Sequence, residues 1–503
     1  MKKYIYLGIG LITSLHIQAQ SIDDALKISQ DNTIGTARFR AMSGAFGALG
    51  GDLSAININP AGSTVFSNNQ VGVTLSSSSN RNKTNYFNSL NESTQTNLRF
   101  NQLGGVLVFK DDSQSNPWKK IALGINYETT NRHNNYVFVS GTNPTTSMAE
   151  YFVQAANGIP FSEIQLYNGE NYADVYQFLG QNIGHNAQLG FLGYEGYIIN
   201  PLSNTDNNTE YFSNANSTGN FYQEKETISS GFTSKTAFNF AAEYRKILSV
   251  GLNLNHHYTE YYRTYNYFEE GSSSEADRLR TLSYENTLLT LGNGFSFQLG
   301  TIIKLKDLRL GLVYDSPVWH RFTDEQIEGI STTVNGIGKT NIYPNITNFY
   351  LPYKLRSPGK STFSMAYIFG KKGLISLDYG LKDYTQTRFS PTNEFTNVNI
   401  TMENAMQLAS DIRIGGEYRI KNVSLRGGYR YQESPFKTGY GNVGEARSYS
   451  SGIGYVYGPY RFDLAYSYTK RQYQETMFDK GLLAPYTTDH ILQNISFTVI
   501  FDL

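Results

Sequence analysis

A period of two governs this sequence from about residue 70 onward. In YRFDLAYSYT, Phe462, Leu464, Tyr466 and Tyr468 fall on one side and Arg461, Asp463, Ala465 and Ser467 on the other. DIRIGGEYRI separates Ile412, Ile414, Tyr418 and Ile420 from Asp411, Arg413, Glu417 and Arg419. LISLDYGLKDY sets Ile375, Leu377, Tyr379 and Leu381 against Ser376, Asp378 and Lys382, and the chain ends ISFTVIFDL, with Ile495, Phe497, Val499, Phe501 and Leu503 on one face. Successive side chains of a strand point to opposite faces, so this alternation predicts strands.

The connections alternate as well. Short turns fall near 245–248, 304–309, 369–374, 419–424 and 457–461, with a looser one at 111–119. Longer polar connections fall at 78–97, 140–220, 269–280, 325–348, 391–404, 433–445 and 475–487. About fourteen strands lie between them, with the long connections after odd-numbered strands and the short turns after even ones. A soluble sandwich gives no reason for that parity. An outer-membrane barrel does, because its turns on the periplasmic side are short and its external loops long. The expectation is an all-β, transmembrane antiparallel β-barrel over 70–503, with a long extracellular loop at about 140–220. Its apolar faces would meet lipid. Its charged faces, with Asp378, Lys382, Arg413, Glu417, Arg419, Arg426, Arg430, Arg461 and Asp463, would line the lumen.

Composition agrees. Aromatic residues make up 14% of the 503, with 39 Tyr and 30 Phe, and charged residues only 17%, against about 25% in ordinary globular proteins. A formal net charge of zero gives no reason to expect nucleic acid. Cysteine is absent, which removes disulfides, thiolate metal sites and a Cys nucleophile. The start, MKKYIYLGIGLITSLHIQAQS, has Lys2 and Lys3, an apolar run from Tyr4 to Leu15 and a polar end. It predicts a secretory signal peptide over 1–20, since the run is too short to span a membrane. The expected place is the outer membrane of a Gram-negative cell.

Catalytic signals are missing. His256 and His257 are neighbours in a strand, so their imidazoles face opposite sides, and His133, His185, His320 and His490 are isolated in sequence. No zinc-protease motif, nucleophile elbow or phosphate loop appears. The expectation is a non-enzyme without cofactor or metal. Within 140–220, TTSMAEYFVQAANG sets Met148, Phe152 and Ala155 at helical spacing, and NYADVYQFLGQN does the same for Val175, Phe178 and Leu179. Two short amphipathic helices over the barrel mouth could capture a ligand through Met148, Phe152, Val175, Phe178 and Leu179, or simply pack on the rim.

Residues 21–69 do not alternate. SIDDALKISQ reads as a helix start with Ser21 as cap. Then comes GTARFRAMSGAFGALGGDLSAININPAGSTVF, whose small residues allow close backbone packing and whose Pro60 fixes a bend. Phe39, Met42, Phe46, Leu49 and Phe66 argue that the segment folds rather than dangles. It predicts an N-terminal plug, or hatch, in the barrel lumen.

This stretch resembles the hatch signature of the FadL/TodX-type outer-membrane transporters of long-chain fatty acids and other hydrophobic compounds, specifically their Bacteroidetes branch. The resemblance continues in LRSPGKSTFSMAYIFGKKGLISLDYGLKDYT (355–385), RIGGEYRIKNVSLRGGYRYQESPF (413–436) and SGIGYVYGPYRFDLAYSY (451–468). It covers the hatch and the C-terminal third well and the middle poorly. It implies a fourteen-stranded barrel in which loops capture a hydrophobic ligand, a pocket above the hatch holds it, and a gap in the wall releases it sideways. The family's hatch motif maps onto Asn59, Pro60 and Ala61, which would gate passage. The implied protein is a monomer whose partners are its ligand, membrane lipid and lipopolysaccharide. A structural or adhesive surface barrel and a general diffusion porin are the alternatives, and the sequence leaves the substrate, the pocket residues and the site of any wall opening undetermined.

Overall fold

A strand in a membrane must satisfy every backbone N–H and C=O within the protein, and only closure of the sheet on itself leaves no edge. The computed structural model describes residues 22–113, 115–215, 219–271, 275, 278–440 and 442–503. In it fourteen strands close into one antiparallel barrel. In chain order they are β1 (Gln70–Tyr86), β2 (Ser89–Lys110), β3 (Trp118–Arg132, continued by Asn135–Asn143) and β4 (Phe221–Tyr244). Next come β5 (Leu248–Glu270), β6 (Leu279–Leu305) and β7 (Leu308–Asp315, continued by Val318–Val334). β8 is interrupted (Gly338–Ile342, Asn348–Phe349, Tyr353–Ser357 and Lys360–Phe369), as is β9 (Gly373–Asp383, then Arg388–Ser390). The last are β10 (Leu408–Ile420), β11 (Val423–Gln432), β12 (Val443–Tyr457), β13 (Tyr460–Thr476) and β14 (Pro485–Asp502). β14 pairs with β1 from Gln70–Asp502 to Asn85–Thr487 and closes the ring.

The alternation resolves as an outer-membrane barrel requires. Ile495, Phe497 and Phe501 of β14 are exposed on the outside, while Ser496 and Thr498 are buried within. On β13, Leu464 and Tyr466 face out and Asp463 and Ala465 face in. Among the described residues no helix is long and apolar enough to cross a membrane.

Inside the barrel, α1 (Ile22–Ser29) packs Ala25 and Leu26 against Phe322, Leu355, Phe389 and Phe395 of the wall and of an external loop. The short α2 (Ala37–Ala41) and two 3-10 turns, Ser54–Asn57 and Pro60–Val65, sit lower in the lumen. The signal-peptide expectation, 1–20, and the Ser21 cap lie outside the described residues.

Several connections expected to be loops are strand. The stretch 78–97 is mostly the outer part of the β1–β2 hairpin, which turns at Phe87 and Asn88, both at positive φ. The stretch 325–348 carries β7 on to Val334 and returns through β8. These regions are rich in Asn, Ser and Thr, so hydrophobic alternation fades where the strands leave lipid, yet the backbone ladder continues. The described residues between Asn143 and Phe221 form three α-helices rather than the two expected: α3 (Ala149–Ala156), α4 (Tyr172–Asn182) and α5 (His185–Glu195). A small hairpin, Ile199–Pro201 with Tyr211–Ser213, completes this cap.

Candidate functional site

The hatch is built around Asn59. Its side chain caps the Pro60–Val65 turn by accepting from the Ala61 N–H at 3.0 Å. Its Nδ2 donates to the Gly47 carbonyl at 2.6 Å and to the Thr301 carbonyl of β6 at 3.0 Å, so one residue ties the turn to the hatch and to the wall. Pro60 stands at the first position of the turn, where its fixed φ suits the bend and its missing N–H is no loss. Its carbonyl accepts from Asn239 Nδ2 of β4 at 2.9 Å. Below the turn, Gly251 of β5 and Gly300 of β6 are register partners. A Cβ on Gly300 would lie 2.0 Å from Asn59 Oδ1, and one on Gly251 would lie 2.4 Å from the Ala61 nitrogen. The paired glycines form the hollow into which Asn59, Pro60 and Ala61 are seated, all buried.

Charges fix the rest. Arg38 of α2 donates through Nε to Glu417 at 2.9 Å and through NH1 to the Gly51 carbonyl at 3.0 Å. Glu417 also accepts from Arg426 Nε at 2.7 Å, and Arg426 NH1 reaches Asp463 at 2.6 Å. Higher up, Asp31 accepts from Lys382 at 2.9 Å and Lys360 at 3.1 Å. Of the charges read from the sequence as luminal, Asp378, Lys382, Glu417 and Arg430 bond the hatch directly, while Arg413, Arg419, Arg426, Arg461 and Asp463 pair with other charges of the wall.

The cap closes the other end. Met148, Phe152 and Leu179 are fully buried in its apolar core, Val175 packs beside them, and Phe178 is 53% exposed. Phe152 meets Tyr284 of β6 edge-on at 6.0 Å. Two buried carboxylates bind the cap to the wall. Glu328 of β7 accepts from Tyr176 of α4 at 2.6 Å and Tyr284 at 2.6 Å, and pairs with His185 at the start of α5 at 2.9 Å. Glu269 of β5 accepts from the Met148 N–H, Gln223 and Tyr267, each at 2.8 Å, and from Ser147 Oγ.

Between hatch and cap lies a cavity of about 510 Å³, within the range of small-molecule sites. Apolar and aromatic groups line it, among them Leu26, Ile34, Val137, Tyr151, Leu288 and Phe478, together with cations such as Arg40, Arg132, Lys225 and Arg471. The Lys225 ammonium lies over the Tyr265 ring at 4.2 Å and the Phe478 ring at 5.0 Å and donates to the Met477 carbonyl. The cavity reaches the wall at Asn131, Arg132, His133, Asn134 and Asn135 of β3.

There the wall is incomplete. The β2–β3 ladder runs from Lys110–Lys120 only to Gln102–Glu128. Above that level β3 stays paired with β4, while β2 stays paired with β1. The continuation of β3 passes inside the β1–β2 hairpin, whose inward side chains satisfy its carbonyls: Asn80 donates to Asn134 at 2.6 Å, Asn82 to Tyr136 at 2.8 Å and Thr84 to Phe138 at 2.7 Å. The edge of β2 from Leu98 to Asn101 has no strand beside it on that side among the described residues. An unpaired edge at the wall persists only where it borders a polar cavity. In the sequence this stretch of β3 shows only as a polar run, Asn131–Asn135, which does not say where β3 leaves β2.

No protein-family model matches the chain, and no curated protein does. Among solved structures the fold matches the Pseudomonas putida toluene transporter TodX, at 13% identity over 94% of this chain and 100% of that one, with a TM-score of 0.52. It also matches a Pseudomonas aeruginosa FadL homologue, at 11% identity over 94% of this chain and 99% of that one, with a TM-score of 0.52. At these identities the likeness is one of fold: a closed barrel with an N-terminal helical segment.

Proposed function

We propose that this outer-membrane barrel is a passive, ligand-gated channel for hydrophobic molecules, most of all long-chain fatty acids, of the FadL/TodX type and its Bacteroidetes branch. What carries the reading is the chamber, closed below by the hatch and above by the cap, which meets the wall where the β2–β3 ladder ends. An apolar chain gains by leaving water for such a chamber, and a side exit spares it the charged network below. The fold it shares with a toluene transporter and a FadL homologue supports the same reading. Capture falls to the cap surface around the exposed Phe178, with Met148, Phe152, Val175 and Leu179 holding that surface in shape. The Asn59-Pro60-Ala61 turn is the gate, because release of its few hydrogen bonds frees this part of the hatch from the wall while the ion pairs elsewhere hold the rest in place. The barrel acts as a monomer, its belt in membrane lipid and its outer rim against lipopolysaccharide.

The test is uptake of labelled oleate, toluene and a small sugar by cells that lack their own fatty-acid transporter and express this protein or its Pro60→Gly variant at equal surface level. Uptake of oleate or toluene that falls in the variant, with no sugar entry in wild type, is the expected result. Sugar entry alone makes the barrel a porin. No uptake of any probe by a folded barrel overturns the reading and favours surface adhesion.

A further inference from the structure

Arginines stand inside, within and outside the gap between β2 and β3. Arg40, on α2, is 4% exposed, and its Nε has no hydrogen-bond partner among the described residues. It lines the chamber, and the charge within its electrostatic reach is that of another arginine, Arg132, along with Glu128. Glu128 accepts from Asn57 at 3.1 Å and Asn126 at 3.4 Å and makes no hydrogen bond to Arg40 among the described residues, so its charge offsets the arginines only in part. Arg132 lies on β3 just above the last β2–β3 rung. Its NH2 spans the opening to the Phe100 carbonyl of β2 at 3.5 Å, and its NH1 is buried without a partner. Arg132 is also within electrostatic reach of Arg99. Arg99 is the register partner of Ser76, whose side chain is buried inside the barrel, yet Arg99 is exposed, because β3 has left that part of β2 uncovered.

Three like charges in a row are unfavourable, and a buried guanidinium without an acceptor is costly. The arrangement is relieved by an anion, and the guanidinium fork matches a carboxylate with two parallel hydrogen bonds. The surroundings specify what the anion is attached to. Leu98 and Phe100 are exposed at the edge of the opening, with Phe100 stacked on Tyr127 at 6.0 Å between ring centroids. A head group on the arginines would leave its chain against these apolar faces.

We propose that Arg40, Arg132 and Arg99 form a stepped anion path through the β2–β3 opening, which selects amphiphiles with a single carboxylate over neutral hydrophobic molecules of the same length. This rests on the channel reading above. The head group passes from the buried Arg40 to Arg132 in the gap and then to Arg99 at the surface, while the chain slides over Phe100.

The experiment compares uptake of oleate with that of oleyl alcohol, the neutral molecule of equal chain length, and reads their ratio. Wild type, Arg132→Gln, Arg132→Lys, Arg40→Gln and Arg99→Gln are expressed in the same transporter-free cells, with folding checked by heat-modifiable gel migration. Arg447→Gln, on the surface beside Glu445, is the charge control. The expected result is a fall of about tenfold in the oleate-to-alcohol ratio for Arg132→Gln and Arg40→Gln, by analogy with the loss of one charge-assisted partner. Arg132→Lys should recover part of it, Arg99→Gln should show a smaller fall, and the control none. Equal loss of both probes makes the arginines wall-packing residues and overturns the proposal. So does an unchanged ratio, and if co-purifying lipid A falls at the same time, the arginines belong to outer-leaflet phosphates. If wild type takes up neither probe, the channel reading itself fails. If it takes up both and the ratio never moves, only the anion path does.

Discussion

The lumen is occupied from both ends, by elements of opposite chemistry. The hatch is made of small residues and short helices, and it grips the wall through side chains that donate to carbonyls and through ion pairs such as Arg38–Glu417. The cap has an apolar core of its own, with Met148, Phe152, Leu179, Leu189 and Phe191 fully buried, and it is pinned by the carboxylates of Glu269 and Glu328. A hydrogen bond broken during a movement is replaced by one to water at little net cost, whereas an apolar core that opens exposes its whole surface. On the proposed reading, the comparison makes the hatch the part that moves and the cap the part that holds. It also explains why glycines face the hatch: close backbone approach fixes position without deep apolar burial.

Breaking the cap should have the largest effect. Phe152→Ala empties a fully buried site between Tyr151 and Tyr284 and should cost the cap about 3–5 kcal/mol. The expected outcome is rapid proteolysis within 144–220 while the barrel still migrates as a folded species. Glu269→Ala comes next. It leaves the donors of Met148, Gln223 and Tyr267 without their acceptor, at about 2–3 kcal/mol, and should raise cleavage in the same segment to a lesser degree. If either change instead loosened the hatch, measured as sugar entry, the two closures would be one cooperative unit and the contrast between them would fall.

The hatch should respond differently. Gly300→Ala drives a Cβ against Asn59 Oδ1, and overpacking of this kind costs about 1–3 kcal/mol. The prediction is a several-fold rise in small-solute leakage through purified protein in planar bilayers. Protease resistance of 144–220 and the heat needed to unfold the barrel should be close to wild type. Leakage at the wild-type level would mean that the hatch shifts without opening, and the gate would have to be sought elsewhere than Asn59.

How much of this the sequence revealed follows the physics of each part. Strands in lipid announce themselves, because one face must be apolar: the alternation at Ile495–Phe501 and Leu464–Tyr466 led directly to a closed barrel of about fourteen strands. Strands beyond the membrane face water on one side and polar lumen on the other, so the stretch 78–97 carried no alternation and read as loop. Helix α5 was missed because HNAQLGFLGYE holds two glycines and little amphipathic contrast, and only the cap core stabilises it. The Asn59-Pro60-Ala61 turn was legible as a motif, but the glycines that seat it, Gly251 and Gly300, are almost 50 residues apart in sequence and meet only through the β5–β6 register. Arg40, Arg99 and Arg132 were invisible as a group for the same reason: nothing in the sequence says that β3 leaves β2 at Glu128.

The smallest effect sharpens the comparison most, because it holds the chemistry constant and varies only burial. Arg81–Glu92, on the outer part of the β1–β2 hairpin, is an ion pair at 2.6 Å with both side chains 45% exposed. Arg38–Glu417, between hatch and wall, is an ion pair at 2.9 Å with side chains 8% and 1% exposed. Water and salt screen the first, so Arg81→Gln should leave unfolding in urea, protease resistance and uptake unchanged within error. Arg38→Gln keeps Glu417 partnered by Arg426 and Arg419, so the wall should hold. The hatch, however, loses a charged anchor and the hydrogen bond to Gly51, and leakage should rise, though less than with Gly300→Ala. Raising the salt concentration should shrink whatever difference Arg81→Gln makes and leave the Arg38→Gln leak in place, since a buried pair is shielded from added ions. An Arg81→Gln protein that leaked as much as Arg38→Gln would mean that the two pairs act through the barrel as a whole, and that the hatch has no polar attachment of its own to release.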